Sequence, residues 1–148
     1  MAAKQASSQA TTPTFRASHR FARMSPYKVR LDMDQVRGHR VEKALEILEF
    51  SRRRGAKLIY KVLRSAVANA EHKINEHEIE VDITSLVVSD ARVDEGPKFR
   101  RWRPRARGAA FPIIKRSCHI SIGLTPMTED EEAKAGGKNS GRTKKNKR

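Results

Sequence analysis

Apolar residues recur at helical spacing through the first half of the chain and alternate through much of the second. Val41, Ala44, Leu45 and Leu48 fall at i, i+3, i+4 and i+7, which predicts a short amphipathic helix ending near Phe50. Ile59, Val62, Leu63, Ala66, Val67 and Ala70 form one apolar stripe, predicting a longer helix over about 56–75. The stretch Arg52-Arg53-Arg54-Gly55 separates the two. An earlier helix, over about 26–37, is predicted from its ends: Ser25-Pro26 supplies an N-cap and a proline at the first position, and Gly38 follows Arg37 where a glycine stops the turn. After Glu78 the period becomes two. Ile79, Val81 and Ile83 alternate with Glu80 and Asp82, and the Val-rich run 86–93 reads as a strand. In 111–124, Ile114, Arg116, Cys118, Ile120, Ile122 and Leu124 share one face, and Ile113, Lys115, Ser117, His119 and Ser121 the other. The two runs pair as a hairpin. Its connection, 94–110, contains Gly96-Pro97, Pro104 and Gly108, which are expected to interrupt a regular ladder. An arm is therefore expected rather than a tight turn, its tip roughly 30 Å from the body if about ten residues a side are extended.

Charge changes what this arm means. Between Pro97 and Leu124 the chain carries Lys98, Arg100, Arg101, Arg103, Arg105, Arg107, Lys115 and Arg116 and not one Asp or Glu. Eight like charges must be solvated or neutralised by something anionic, and phosphate is the leading candidate. The whole chain has 32 Lys and Arg against 17 Asp and Glu, a formal +15, which points the same way. Its 148 residues suit one domain with a compact, mostly aliphatic core, because only 37% are hydrophobic and 5% aromatic. The single cysteine, Cys118, excludes an internal disulfide framework. No apolar run reaches the roughly 18 residues of a membrane span, and the N-terminus lacks the apolar stretch of a secretory signal.

The domain is expected over 15–124, with the arm at about 94–112. Residues 1–14, rich in Ala, Ser, Thr and Gln, read as a flexible tail; a transit peptide is the rival reading, since 1–24 holds no acid and gains Arg16, Arg20 and Arg23. Residues 125–148 read as a disordered charged tail, acidic at Glu129-Asp130-Glu131-Glu132 and basic toward the end.

Trp102 and Phe99 offer faces for stacking between nucleotides, and arginines can fork onto phosphates; the plainer reading of Trp102 is an anchor for its own hairpin. Lys57, Lys61 and Arg64 fall on one face of the long helix, which suits a solvated surface as well as an RNA contact. Catalysis has little support. Cys118 and His119 point to opposite faces of a strand, His72 and His77 lack the spacing of a helical zinc pair, and no phosphate-cradling glycine loop occurs. No cofactor or metal is expected. A free-standing nucleic-acid regulator using the first two helices as a helix-turn-helix is the stronger rival, although the basic residues concentrate on the arm and at Arg52, Arg53 and Arg54 instead of along one recognition helix.

Several runs together resemble the universal large-subunit ribosomal protein L twenty-two family, over about 15–124. They are Ser25-Pro26-Tyr27-Lys28-Val29-Arg30, Arg37-Gly38, Ala44-Leu45-Glu46-Ile47-Leu48 and Ser65-Ala66-Val67-Ala68-Asn69-Ala70, followed by Val93-Asp94-Glu95-Gly96-Pro97, Pro104-Arg105-Ala106-Arg107-Gly108 and Arg116-Ser117-Cys118-His119-Ile120. The chain departs from the family's pattern at Tyr27, where a base is common, at Ala109, where arginine is frequent, and at Cys118, where serine is usual. The resemblance implies an α+β fold, three helices packed on a small antiparallel sheet with a long extended β-hairpin arm. It implies a structural constituent of the large ribosomal subunit, in a cytoplasmic ribosome with an organellar one left open. Its expected partners are large-subunit rRNA of the 23S type, neighbouring large-subunit proteins and the nascent peptide, with no membrane and no homo-oligomer. Arg101, Trp102, Arg103, Pro104, Arg105, Ala106, Arg107 and Gly108 would form the tip that lines the peptide exit tunnel. RNA contacts are expected at Lys98, Arg100, Lys115 and Arg116 on the stem, and on the body at Lys28, Arg30, Arg52, Arg53, Arg54, Lys57, Lys61, Arg64 and His119.

Overall fold

The structure, a computed structural model, describes residues 14–77 and 81–127. Both tails expected from the sequence lie almost wholly outside the described residues. Strand β1 (Phe15–Ala22) comes first, followed by helices α1 (Pro26–Met33), α2 (Val41–Phe50) and α3 (Arg54–His77), and then the long strands β2 (Leu86–Pro104) and β3 (Ala110–Pro126). The strands form one antiparallel sheet in the order β1-β3-β2. Helix α3 packs on β1 and β3, α2 packs on α3, and α1 lies against β2. This is the α+β arrangement with a long hairpin.

The core follows the two apolar patterns. Ile59, Leu63, Ala66 and Ala70 from α3 meet Cys118, Ile120, Ile122 and Leu124 from β3 and Leu86 and Val88 from β2, all buried. The small residues let α3 approach the sheet, and Asn69 beside them donates its side-chain amide to the Arg16 carbonyl at 3.1 Å, tying helix to edge strand. Ser25 stands at the N-cap of α1 with Pro26 at its first position, but its side chain makes no capping bond.

Four expectations need correction. Helix α1 stops at Met33, not near Arg37, because the chain tightens into turns that carry it to Gly38 at φ +75°; there the Gly38 amide donates to the Val88 carbonyl at 2.9 Å. Helix α3 begins at Arg54, so Arg54 and Gly55 belong to its first turn and not to a break. The alternation at Ile79, Val81 and Ile83 does not make a strand: 78–80 lie outside the described residues, Val81 and Asp82 belong to no element, and Ile83–Ser85 is a 3-10 turn. There the Ser85 hydroxyl and amide both bond the Asp82 carbonyl, at 2.6 and 3.1 Å, drawing the backbone out of an extended path.

The last correction concerns the arm. Gly96-Pro97 do interrupt the ladder's register, but only locally, and Pro104 does not: β2 and β3 pair from Leu86↔Pro126 to Pro104↔Ala110, with shifts at Val88/Asp90 and Glu95/Lys98. Gly96 and Pro97 sit in the second shift, a bulge where an unpaired proline loses no ladder bond. Beyond it each strand pairs on one side only, so Pro104 and Pro112 are accommodated. The tip is a short turn, Arg105–Ala109, closed by the Arg105 amide on the Ala109 carbonyl at 2.7 Å, with Arg107 and Gly108 both left-handed at φ +58° and +71°.

Candidate nucleic-acid interface

The arm is a two-stranded ribbon whose opposed pairs set basic against apolar side chains. Phe99 faces Lys115, Arg100 faces Ile114, Arg101 faces Ile113 and Arg103 faces Phe111, with Trp102 opposite Pro112. Long basic stems can therefore cover neighbouring apolar surface while the charged heads stay in solvent. From Glu95 to Pro104 the extended backbone carries the tip about 30 Å out. Every residue from Lys98 through Pro112 is exposed, Trp102 at 67%. The Arg105 guanidinium lies 5.8 Å over the Phe111 ring. Of the expected tip residues, Trp102 to Gly108 lie at the far end of the ribbon, with no carboxylate among them, whereas Arg101 lines a groove at its root.

The root of the arm is built more tightly. Ser117, buried, donates its hydroxyl to the Pro97 carbonyl at 2.6 Å across the bulge. A Cβ on Gly96 would stand 2.6 Å from that hydroxyl oxygen and 3.2 Å from the Ser117 carbonyl carbon, so the bulge requires glycine here for space. Lys98 and Arg116 face one another in the ladder, and Glu95 lies beside them with its carboxylate 2.6 Å from the Lys98 ammonium. The bond and charge of Lys98, with a smaller contribution from Arg116, hold the Glu95 carboxyl below its ordinary pKa.

Among the body's basic residues, which include those expected to meet RNA, the structure divides exposed cations from committed ones. Arg30 donates twice to the Val93 carbonyl, at 3.2 and 3.0 Å, and Arg37 donates to the Ala91 carbonyl at 2.7 Å. Both carbonyls lie along β2, the edge strand, so these arginines cover an edge that would otherwise offer itself to another strand. Arg53 pairs with the buried Asp32 at 3.0 Å. A Cβ on Gly55 would collide with the other Asp32 oxygen, so close approach of α3 to α1 depends on that glycine. His119 accepts the Phe21 amide on Nδ1 at 3.1 Å, where β1 bulges with Phe21 at φ +60°, and its ring meets Phe21 edge-on at 4.8 Å. Cys118, its neighbour, is in the core, where burial pushes the thiol pKa up.

Lys28, Arg52, Arg54, Lys57, Lys61 and Arg64 are exposed. Lys57, Lys61 and Arg64 border a groove between α2 and α3 floored by Leu48, Tyr60 and Ala68. It is separate from a second groove at the arm's root, where Arg54 joins Arg101, Lys115 and Arg116. Arg23, on the β1–α1 connection, also lines that second groove; the sequence placed it only in a targeting pattern, because nothing local to it signals proximity to residues some ninety positions away.

A two-layer body with a protruding ribbon that is exposed, basic and acid-free from Lys98 to Pro112 offers a surface complementary in charge to a polyanion, with no assembled nucleophile and base among the described residues. Comparison with known proteins makes this specific. Residues 17–125 match the family described as ribosomal protein L22p/L17e, and the chain belongs to that family. Its relatives include the large ribosomal subunit protein uL22 of Crocosphaera subtropica, 51% identical over 120 residues covering 81% of this chain and 96% of the relative. The uL22 protein of Magnetococcus marinus is 46% identical over 114 residues, 77% of this chain and 96% of that one. The family is structural, and the chain is not an enzyme.

Proposed function

We propose that this chain is a structural constituent of the large ribosomal subunit that binds large-subunit rRNA, aids its folding during assembly, and reaches through it with the arm. The observation that carries the reading is the acid-free, exposed ribbon on a family member's body. Phosphates neutralise Arg100, Arg101, Arg103, Arg105 and Arg107 along the ribbon and Lys98, Lys115 and Arg116 at its stem, while Lys28, Arg52, Arg54, Lys57, Lys61 and Arg64 give the body weaker, rim-type contacts. Arg30, Arg53 and His119 act chiefly by holding the body in shape. Trp102, exposed at the far end, stacks on an unpaired base. The tip, Arg101 to Gly108, lines the peptide exit tunnel beside the nascent chain, and neighbouring large-subunit proteins touch the body. The relatives' names and the bacterial sources of those relatives support a cytoplasmic ribosome as the place of action.

Charge supplies the affinity, so salt dependence is the test. Replacing Arg101, Arg103, Arg105 and Arg107 with alanine should lower the slope of log affinity against log salt, for large-subunit rRNA, by roughly three. An unchanged slope would contradict an arm that binds phosphate.

A further inference from the structure

Where the arm leaves the body, the β1–α1 connection, the first turn of α3 and both arm strands enclose a groove of about 710 Å³. Its basic wall is Arg23, Arg54, Arg101, Lys115 and Arg116, and no acid lines it. Met24, Phe99 and Ile114 supply its apolar lining, Phe99 on the ribbon face it shares with Lys115 and Ile114 on the face it shares with Arg100. Phe99 and Ile114 are 46% and 49% exposed, an odd choice for a bare hairpin root. Phe99 has no ring and no cation stacked on it among the described residues, unlike Phe111. Arg23, Arg54 and Lys115 likewise have no ion-pair partner there. The volume lies within the roughly 300–1,000 Å³ of pockets that take a small-molecule-sized group. Flat apolar surface beside several free cations, opening at the N-terminal turn of a long helix, suits a base and its flanking phosphates together.

We propose that this groove holds a single unstacked nucleotide of the bound RNA, its base against Phe99 and its phosphates on Arg23, Arg54 and Lys115, which shares the ribbon face of Phe99. The inference rests on the RNA-binding reading above and adds a specificity that charge alone lacks. A ribbon of arginines accepts any phosphate backbone, whereas this groove selects RNA with a base already free to leave its stack. It sits at the root of the arm, so it fixes how far and in what direction the ribbon enters the RNA.

The test uses the full chain and an RNA hairpin carrying one bulged 2-aminopurine, beside the same hairpin without the bulge. The bulged RNA should bind about tenfold more tightly and its fluorescence should fall on binding, as expected for a base moved onto an aromatic ring. Phe99→Ala should abolish both the preference and the fluorescence change while leaving the affinity for the unbulged hairpin and its salt slope intact; Phe99→Tyr should restore them. Equal affinity for the two RNAs, or a preference that survives Phe99→Ala in a folded protein, overturns the groove assignment while leaving the phosphate-binding arm standing. Absence of salt-dependent binding to either RNA overturns both. A fluorescence response to free 2-aminopurine ribonucleotide but not to the bulged hairpin would make this a mononucleotide site and also overturn the proposal.

Discussion

Single residues decide whether the arm has a fixed root. Gly96 has no left-handed φ to explain it; it is needed because the Ser117 hydroxyl and carbonyl occupy the space a Cβ would take. Gly96→Ala should therefore cost about 1–3 kcal/mol in thermal or urea unfolding, and adding Ser117→Ala should recover part of it by removing the nearer atom. Full stability of Gly96→Ala would mean that the bulge has room to spare. Glu95 adds a pH dependence with a definite sign. Its folded pKa is depressed, so the carboxylate contributes stability above the unfolded glutamate value of about 4.3 and loses it as pH falls through the lower folded value. Backbone NMR signals of residues 95–98 and 116–118 should shift below about pH 4.3, and Glu95→Gln should abolish that step. Neither role is visible in the sequence. Glu95 and Gly96 read there as an acid and a turn signal, and only the pairing with β3 brings Ser117 and Arg116 beside them.

Elements were legible in proportion to how one-sided their burial is. The stripe of α3 and the alternation of Cys118, Ile120, Ile122 and Leu124 each face one core, so periodicity finds them. β1 is invisible to that method: only Phe15 and Ala22, at its ends, are buried, and the strand exists because its backbone pairs with β3. The alternation at Val81 and Ile83 misleads for the opposite reason, since Ile83 is 38% exposed and local bonds to Asp82 govern the backbone. In the arm, prolines that would break an interior strand sit on a ribbon with free outer edges, so the expected hairpin arm keeps its ladder as far as Pro104↔Ala110. That continuity makes the arm separable from the body. Replacing Arg101–Ile113 by Asn-Gly would close the ladder at Arg100↔Ile114 with a two-residue turn, and should shift Tm by no more than about 3 °C because the removed side chains lie outside the core. Ribosomes carrying this shortened chain should answer differently to tunnel-binding macrolides. Unaltered drug sensitivity in such ribosomes would place the tip away from the tunnel wall.

At the scale of the whole molecule, net charge identifies the kind of partner but overstates the number of cations that can reach it. Arg30, Arg37 and Arg53 serve carbonyls and a carboxylate inside the fold, and composition cannot tell them from Arg103 or Arg107. The structure separates the two sets: Arg30, Arg37 and Arg53 help build the body, whereas Arg103 and Arg107 on the ribbon and Lys57, Lys61 and Arg64 on the body stay exposed. Arg23 joins the free set only in three dimensions, because the root groove draws on residues from both ends of the domain. Family membership and the exposed basic ribbon together support the proposal that the chain is an integral RNA-bound component of the large subunit. The direct measurement is sedimentation of a lysate containing the tagged chain through a high-salt sucrose gradient. Stoichiometric retention on large subunits after the wash is expected, with the chain lacking Arg101, Arg103, Arg105 and Arg107 released at lower salt. Recovery of the intact chain in the free or DNA-bound fraction would contradict it.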